Sequence, residues 1–466
     1  MLRHAGLYLS LATGVVLAGS AALADGDGAG SAPEPSLEEL LERVERLERD
    51  KAEMADEIDE LRAQVGDDWL TERRSDEIRA LVADVLADAD TRASLLQDGM
   101  TAGWDEHFFL ASPDGRFRLQ VDGLMQIRWI WNYHDQPDEY VSGWENTRTK
   151  VTFRGHVFSP DITYLIRSDL AREGGWDTLQ DAWVRYHLND QLSVRVGQFK
   201  LPFNREELVG PMYLQAIERS LVNESLNIGR SQGIEMTYTD RSNRFTLATS
   251  DGGEDNIGGF NLTGSRPPNS PWSDSTAEWA VAARYEQLVA GRWDQFTQFT
   301  SPPGDPFGLM WGIAGHVQRT EYTGTPSTSR NEDYWFGLTG DVSAEFGGAN
   351  LFASIVYQYV DDASFGIFNV YGIVVQGGTY FTEKLEAFAR FEYGNVDSDF
   401  DFQDLWVLTV GTNYYIDGQD LKLSADIGFG LDQIGAAWDS DLAGWRVEGA
   451  GADPQIVFRT QFQLLF

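Results

Sequence analysis

Residues 455–466 read QIVFRTQFQLLF. Ile456, Phe458, Thr460, Phe462, Leu464 and Phe466 fall on one side of an extended chain, and Gln455, Arg459, Gln461 and Gln463 fall on the other. A period of two is the signature of a β-strand. Chain ends are ordinarily loose and polar, yet here Phe466 itself belongs to the apolar row. A strand that stays apolar on one face up to its final residue suits a wall whose outer side meets lipid.

The same alternation recurs upstream. In RFRLQVDGLMQIRWIW (116–131), Phe117, Leu119, Val121, Met125, Ile127, Trp129 and Trp131 share one face, and Arg118, Gln120, Asp122, Gln126 and Arg128 share the other. Sixteen such segments are predicted, at 116–131, 146–158, 161–170, 178–188, 191–199, 231–239, 243–250, 278–288, 309–320, 333–345, 349–360, 369–381, 384–394, 404–416, 420–430 and 455–466. Short links such as SPD, ND, DRS and TEK alternate with long ones at 200–230, 251–277 and 431–454. Short turns at one end and long loops at the other describe an outer-membrane barrel. Residues 289–308 look partly strand-like, but a seventeenth strand would break that alternation, so they are assigned to an extended periplasmic connection. A soluble sandwich or propeller also uses many short strands; no blade-length repeat supports a propeller.

Composition agrees. Of 466 residues 12% are aromatic, and the mean hydropathy is −0.33. Past the N-terminus no apolar run is long enough for a membrane helix. Residues 1–24, with Arg3 ahead of an apolar run ending Ala22-Leu23-Ala24, are predicted to be a signal peptide. The exported chain has no cysteine, so its stability must come without disulfides. A net charge of −37 argues against nucleic acid as a partner. That charge is uneven, since residues 116–230 hold fourteen basic and fifteen acidic side chains.

Between the signal and the barrel, 25–36 is a linker. In 37–66, Leu37, Leu40, Val44, Leu47, Lys51, Met54, Ile58, Leu61 and Val65 repeat at spacings of three and four with Lys51 the single polar core residue, the pattern of a periplasmic α-helical coiled coil. Residues 67–115 are predicted as an amphipathic helix and linker, with Ser75 as its N-cap. The fold expected is therefore an all-β transmembrane barrel of 16 antiparallel strands over 116–466, preceded by a coiled coil.

Three stretches carry a family likeness: DGRFRLQVDGLMQIRW (114–129), RTKVTFRGHVFSPDITYLI (148–166) and RVGQFKLPFNREEL (195–208). Together with Phe466, they make residues 104–466 resemble the phosphate-selective porin O and P family. The resemblance implies a homotrimer of sixteen-stranded barrels in the outer membrane of a Gram-negative-type bacterium. It also implies insertion by the barrel assembly machinery, which reads Phe462, Leu464 and Phe466 on the last strand. Phosphate-selective members carry an arginine ladder and a lysine cluster. This barrel has only Lys150, Lys200, Lys384 and Lys422, which do not form a visible cluster.

Strand parity assigns the lumen. On the first five strands Arg116, Arg118, Arg128, Arg148, Lys150, Arg154, Arg167, Arg185 and Arg195 point inward, against Asp122, Asp169 and Asp181. Later strands turn Glu235, Glu278, Glu286, Asp333, Asp341, Glu345, Glu386, Glu392 and Asp426 inward, against Arg244, Arg284, Arg390 and Lys422. The expectation is a basic wall facing an acidic one across water. The long connection 200–230 is expected to fold into the pore as a constriction loop, carrying Lys200, Arg205, Glu206, Glu207 and Arg219.

Histidines lack metal-ligand spacing and no nucleophile elbow is present, so neither an enzyme nor a cofactor is expected. The predicted function is passive diffusion of small hydrophilic solutes and ions, with a lean toward anions or phosphate from the basic wall. The alternative is a structural protein whose coiled coil ties the outer membrane to the cell wall or a surface coat.

Overall fold

The computed structural model describes residues 99–105, 107–135, 138–170, 178–253, 277–321, 332–362, 366–397, 404–448 and 454–466, with nine positions between 42 and 56. The chain divides into two units, residues 1–92 and 93–466. In the first, Glu42, Glu45, Arg46, Glu48, Arg49, Lys51, Ala52, Glu53 and Asp56 are helical and exposed. The apolar positions of the expected coiled coil, the signal peptide, the 25–36 linker and the helix after Ser75 lie outside the described residues.

In the second unit, the described residues form eighteen strands. Sixteen of them close a barrel: β3 (Arg118–Asp135), β4 (Asp138–Val157), β5 (Ser159–Asp169), β6 (Thr178–His187), β7 (Leu192–Lys200), β8 (Arg230–Thr239), β9 (Asn243–Ser250), β10 (Trp279–Ala290), β11 (Gly308–Glu321), β12 (Glu332–Glu345), β13 (Ala349–Asp362), β14 (Gly366–Tyr380), β15 (Leu385–Asp397), β16 (Leu405–Asp417), β17 (Leu421–Gly430) and β18 (Ile456–Leu465). Each pairs antiparallel with the next, and β18 returns to β3 through Leu465↔Leu124 to Ile456↔Tyr133. Closure leaves those strands no free edge between first and last.

The other two strands were not expected. Residues 101–111, placed in a helix-and-linker segment by the sequence pattern, form a hairpin of β1 (Thr101–Asp105) and β2 (His107–Ala111). Strands of five residues containing Gly103 and two acidic neighbours are too short to display a period. β2 pairs with β3 from Phe108↔Val121 to Ala111↔Arg118, directly below the point where Phe466 and Gly123 exchange backbone hydrogen bonds. The wall at the short-turn end is thus continued past the end of β18.

Outward residues are apolar, with two bands of exposed rings. Phe158, Phe307, Phe346, Phe381 and Phe466 mark the short-turn end, and Tyr140, Trp144, Trp279, Tyr334 and Trp406 the long-loop end. Such girdles sit at the two membrane–water interfaces of barrels of this kind.

The inner face departs from a simple polar lumen. Trp335, Phe352, Val356, Val360, Phe368, Val370, Val374, Leu405 and Val407 point inward from β12–β16 and are buried in one apolar cluster with Phe203, Leu221, Val222 and Leu226. Those partners belong to the 201–229 connection, which folds into the barrel. Inward glycines make the close approach possible. A Cβ at Gly372 would stand 2.4 Å from Val222 Cγ1, and one at Gly394 would stand 2.4 Å from the Trp438 ring. Each buried Leu, Val or Phe contributes about 2 kcal/mol to holding the connection against the wall.

Candidate functional site

The connection between β7 and β8 is built for burial. It holds two short helices, α1 (Arg205–Leu208) and α2 (Leu221–Leu226), with a 3-10 turn at Pro211–Tyr213 between them. Ser220 caps α2 by accepting from the Asn223 backbone amide, and its hydroxyl donates to Glu206 at 2.6 Å. A buried polar group must find a partner, and this segment finds its partners on the far wall. Gln215 donates to Glu386 at 2.6 Å, the Ile217 amide to Asp426 at 3.1 Å, and the Leu221 amide to Glu392 at 2.6 Å. In return Lys422 donates to the Leu214 carbonyl at 3.0 Å, and Arg390 to the Glu218 carbonyl at 2.7 Å.

The acidic wall expected from parity is therefore present but covered. Asp341, Glu386, Glu392 and Asp426 are spent on the connection or on buried arginines, including Arg284 to Asp341 at 2.8 Å and Arg459 to Asp426 at 2.7 Å. No field crosses open water there. Parity reports which way a side chain points and not what will pack against it.

A second inward segment completes the cover. Residues 431–448 bury Ile434, Trp438 and Trp445, and turn the carbonyls of Leu442 and Ala443 to Arg128 and Arg459. Two tryptophans in a long loop were the available sequence signal. At the short-turn end the 291–307 connection also turns in, burying Gln295, Phe296 and Phe299, with the Phe299 amide donating to the Tyr213 carbonyl at 3.2 Å. Its predicted place at the short-turn end holds; it is folded back and not extended.

The basic residues singled out in the sequence occupy different environments. Arg128 and Arg148 are anchors: both are buried against Glu218, at 2.8 and 2.6 Å. A register shift between Gln126 and Ile127 opposite β4 also brings Glu145 onto Arg128. Arg118 sits at the rim, bonded to Asp105 of the hairpin at 2.8 Å. Lys150 meets Asp169 at 3.4 Å and Gln180 at 2.6 Å. The remaining four line an uncovered wall: Arg154 with Asp122 at 2.9 Å, Arg167 with Asp181 at 3.3 Å, and Arg185 and Arg195 sharing Glu235. Arg244, on β9, extends the row through Glu286 at 3.5 Å, and Arg230 joins Asp181 at 3.1 Å.

These pairs are unequal in their access to solvent. Side-chain exposure is 24% for Arg167, 26% for Arg185 and 35% for Arg244, against 8% for Asp181, 4% for Glu235 and 7% for Glu286. The carboxylates form the floor, and the guanidinium groups face the open space.

Among the constriction-loop residues, Arg205 is buried on Ser343 and the Phe296 carbonyl, Glu206 on Ser220, and Arg219 on the Glu206 and Val209 carbonyls. Lys200 and Glu207 pair at 2.9 Å and line open space. Two cavities meet at Lys200. One, of 380 Å³ toward the short turns, is lined by Arg185, Arg195, Arg244, Glu235 and Glu286; the other, of 320 Å³ toward the long loops, by Arg148, Lys150, Arg219, Arg230 and Glu224. Lys200 is common to both, so it stands where the two cavities adjoin. Among the described residues no group of acidic or histidine side chains is arranged to hold a metal ion.

Phe462 and Leu464 project outward from β18, and the Phe466 ring lies over Gly123.

A closed sixteen-stranded barrel with inward loops invites comparison with known channels. Residues 144–270, covering β4 to the connection after β9, match the family model described as phosphate-selective porin O and P. The barrel is of the porin type. The porin fold is shared with solved structures at low identity. An anion-selective porin from Comamonas acidovorans is 12% identical, with 75% of this chain and 99% of that one covered at a TM-score of 0.52. The outer-membrane channel DcaP of Acinetobacter baumannii is 12% identical, with 78% and 100% covered at 0.51. OmpT of Vibrio cholerae is 9% identical, with 75% and 98% covered at 0.50. No curated protein sequence matches the chain.

Proposed function

We infer that this protein is an outer-membrane porin through which small hydrophilic solutes and ions diffuse passively along one side of its lumen, with a preference for anions. The observation that carries the reading is the unequal exposure of the wall pairs: on the uncovered wall the arginines reach the open space, while their carboxylates stay beneath them. Fixed positive charge at the surface of a narrow aqueous path raises the local anion concentration. The matched family and the anion-selective character named for the Comamonas porin support the same sign. Reconstitution into planar bilayers tests it. The reading requires discrete channel conductance and a reversal potential in a salt gradient on the anion side; a barrel that inserts without conducting overturns it.

In this reading Lys200 and Glu207 form the narrow point, while Arg205, Glu206, Arg219 and Glu218 hold the connection in place. Phe462, Leu464 and Phe466 serve as the assembly signal, and three barrels associate as a homotrimer, which mass measurement in detergent checks. Residues 37–66 act as a periplasmic coiled coil that assists trimerisation. The reading of that coil as a tether to the cell wall is tested by deleting 25–92 and scoring both trimer content and attachment of the protein to peptidoglycan.

A further inference from the structure

The cavity toward the long loops contains one carboxylate that differs from its neighbours. Arg148, Lys150, Lys200, Arg219 and Arg230 supply five cationic groups to its lining, and Asp169, Glu207 and Glu224 supply three acidic ones. Asp169 is engaged by Lys150 at 3.4 Å, and Glu207 by Lys200 at 2.9 Å and Arg219 at 3.1 Å. Arg148 is taken by Glu218 and Arg230 by Asp181, both set behind the lining. Glu224, on α2, lines the same space, and among the described residues its carboxylate makes no ion pair.

We propose that Glu224 is a selectivity-determining residue, whose charge state sets how strongly the channel favours anions. The proposal rests on the porin reading above. A pair whose members are about equally exposed, such as Lys200 at 14% and Glu207 at 12%, cancels much of its own field, whereas a lone carboxylate contributes its full charge. Geometry places that lone charge in the cavity toward the long loops, whose lining it shares with Lys200.

The groups facing Glu224 are known from each side: Arg148 and Lys150 of β4, Asp169 of β5, Lys200 of β7, Arg230 of β8, and Glu207, Glu218 and Arg219 of its own connection. Burial, with Glu207 and Glu218 nearby, raises the Glu224 carboxyl to about 7 against the opposing pull of Arg219 and Arg148. The side chain is thus neutral in mild acid and charged in mild base. Ionisation adds negative charge to the cavity, and anion preference falls as pH rises.

The test is the reversal potential of the full-length protein in a potassium chloride gradient, from pH 5 to pH 9. For wild type the anion-to-cation permeability ratio should fall by about threefold as pH passes through the neutral range. Glu224→Gln should show a clearly smaller fall over the same range, and Glu224→Asp, which keeps a carboxylate, should titrate like wild type. A ratio that does not change with pH in wild type, or that changes as much in Glu224→Gln, overturns the proposal. An absence of channels in wild type would instead sink the porin reading itself, so the two failures are distinguishable.

Discussion

Glu218 Oε2 accepts from Arg148 Nη2 at 2.6 Å, which fastens the middle of the β7–β8 connection to strand β4. Its other oxygen takes Arg128 of β3 at 2.8 Å, and all three side chains are buried. Breaking a buried charge pair by removing one member leaves the other uncompensated. Glu218→Gln should therefore cost about 3 kcal/mol of the connection's docking. Single-channel conductance should increase and become noisy, as a partly released connection no longer packs steadily against the inner wall. Unchanged conductance would mean that the apolar contacts of α2 hold the connection alone.

The same residue gives an acid limit. Arg148 and Arg128 pull the Glu218 carboxyl down to about 2 despite its burial. With the folded value below the unfolded one, the carboxylate contributes its stabilisation fully above about pH 4.5 and loses it as pH falls toward 2. The difference corresponds to about 3 kcal/mol. Conductance traces should stay quiet at pH 4 and open into larger, noisier levels near pH 2. Glu218→Gln should show the acid behaviour already at neutral pH.

The wall arginines make a separate prediction. Arg154, Arg167 and Arg185 changed together to glutamine should reduce anion preference by about an order of magnitude. Asp122 would lose its arginine, while Asp181 keeps Arg230 and Glu235 keeps Arg195, so the loss of exposed positive charge carries the effect. Neutralising Arg148 instead should act through the connection, altering conductance more than selectivity. Reversal potential and conductance recorded on the same channels separate the two effects.

Much of this was legible in the sequence, and particular residues show why. Every barrel strand overlaps the segment where alternation placed it, though β4 starts at Asp138 and not at 146, because a one-residue slip would turn Ile427 and Phe458 inward and Asp426 and Arg459 into lipid. The inward direction of Arg154, Arg167, Arg185 and Arg195 followed from the same parity. Covering was not legible. Glu392 and Asp341 look like lumen charges in the sequence, yet one receives the Leu221 amide and the other buries with Arg284. The inward valines and phenylalanines of β13 and β14 were the missed signal. Val356, Val370 and Val374 on the lumen side of strands already apolar outside have no use in an aqueous pore, and they imply an apolar occupant. The β1–β2 hairpin was missed for a different reason: it has too few residues to show a period.

Glycine positions offer a steric test of two junctions. Gly123→Val would bring a Cβ to 2.4 Å from the Phe466 ring, at the seam where β3 meets β18. The folded, heat-modifiable form on gels should decrease for that variant. Gly372→Val, which would collide with Val222 on the inner wall, should leave the barrel closed but loosen α2, giving higher conductance with normal heat-modifiability. Identical behaviour of the two variants would contradict the assignment of Gly372 to the seat of the connection.

The central claim, that water and ions follow the arginine wall because the opposite wall is covered, has a direct test in a chain with no native cysteine. Thr237 lies on β8 beside the cavity of Arg185 and Arg195, and Gln358 lies on β13, fully buried and bonded to the Leu226 carbonyl at 2.9 Å. With Thr237→Cys and Gln358→Cys made singly, a charged, water-soluble thiol reagent is added to open channels in a bilayer. Rapid modification and a drop in current at Thr237→Cys, with no reaction at Gln358→Cys, is the predicted result. Equal modification at both positions would contradict it.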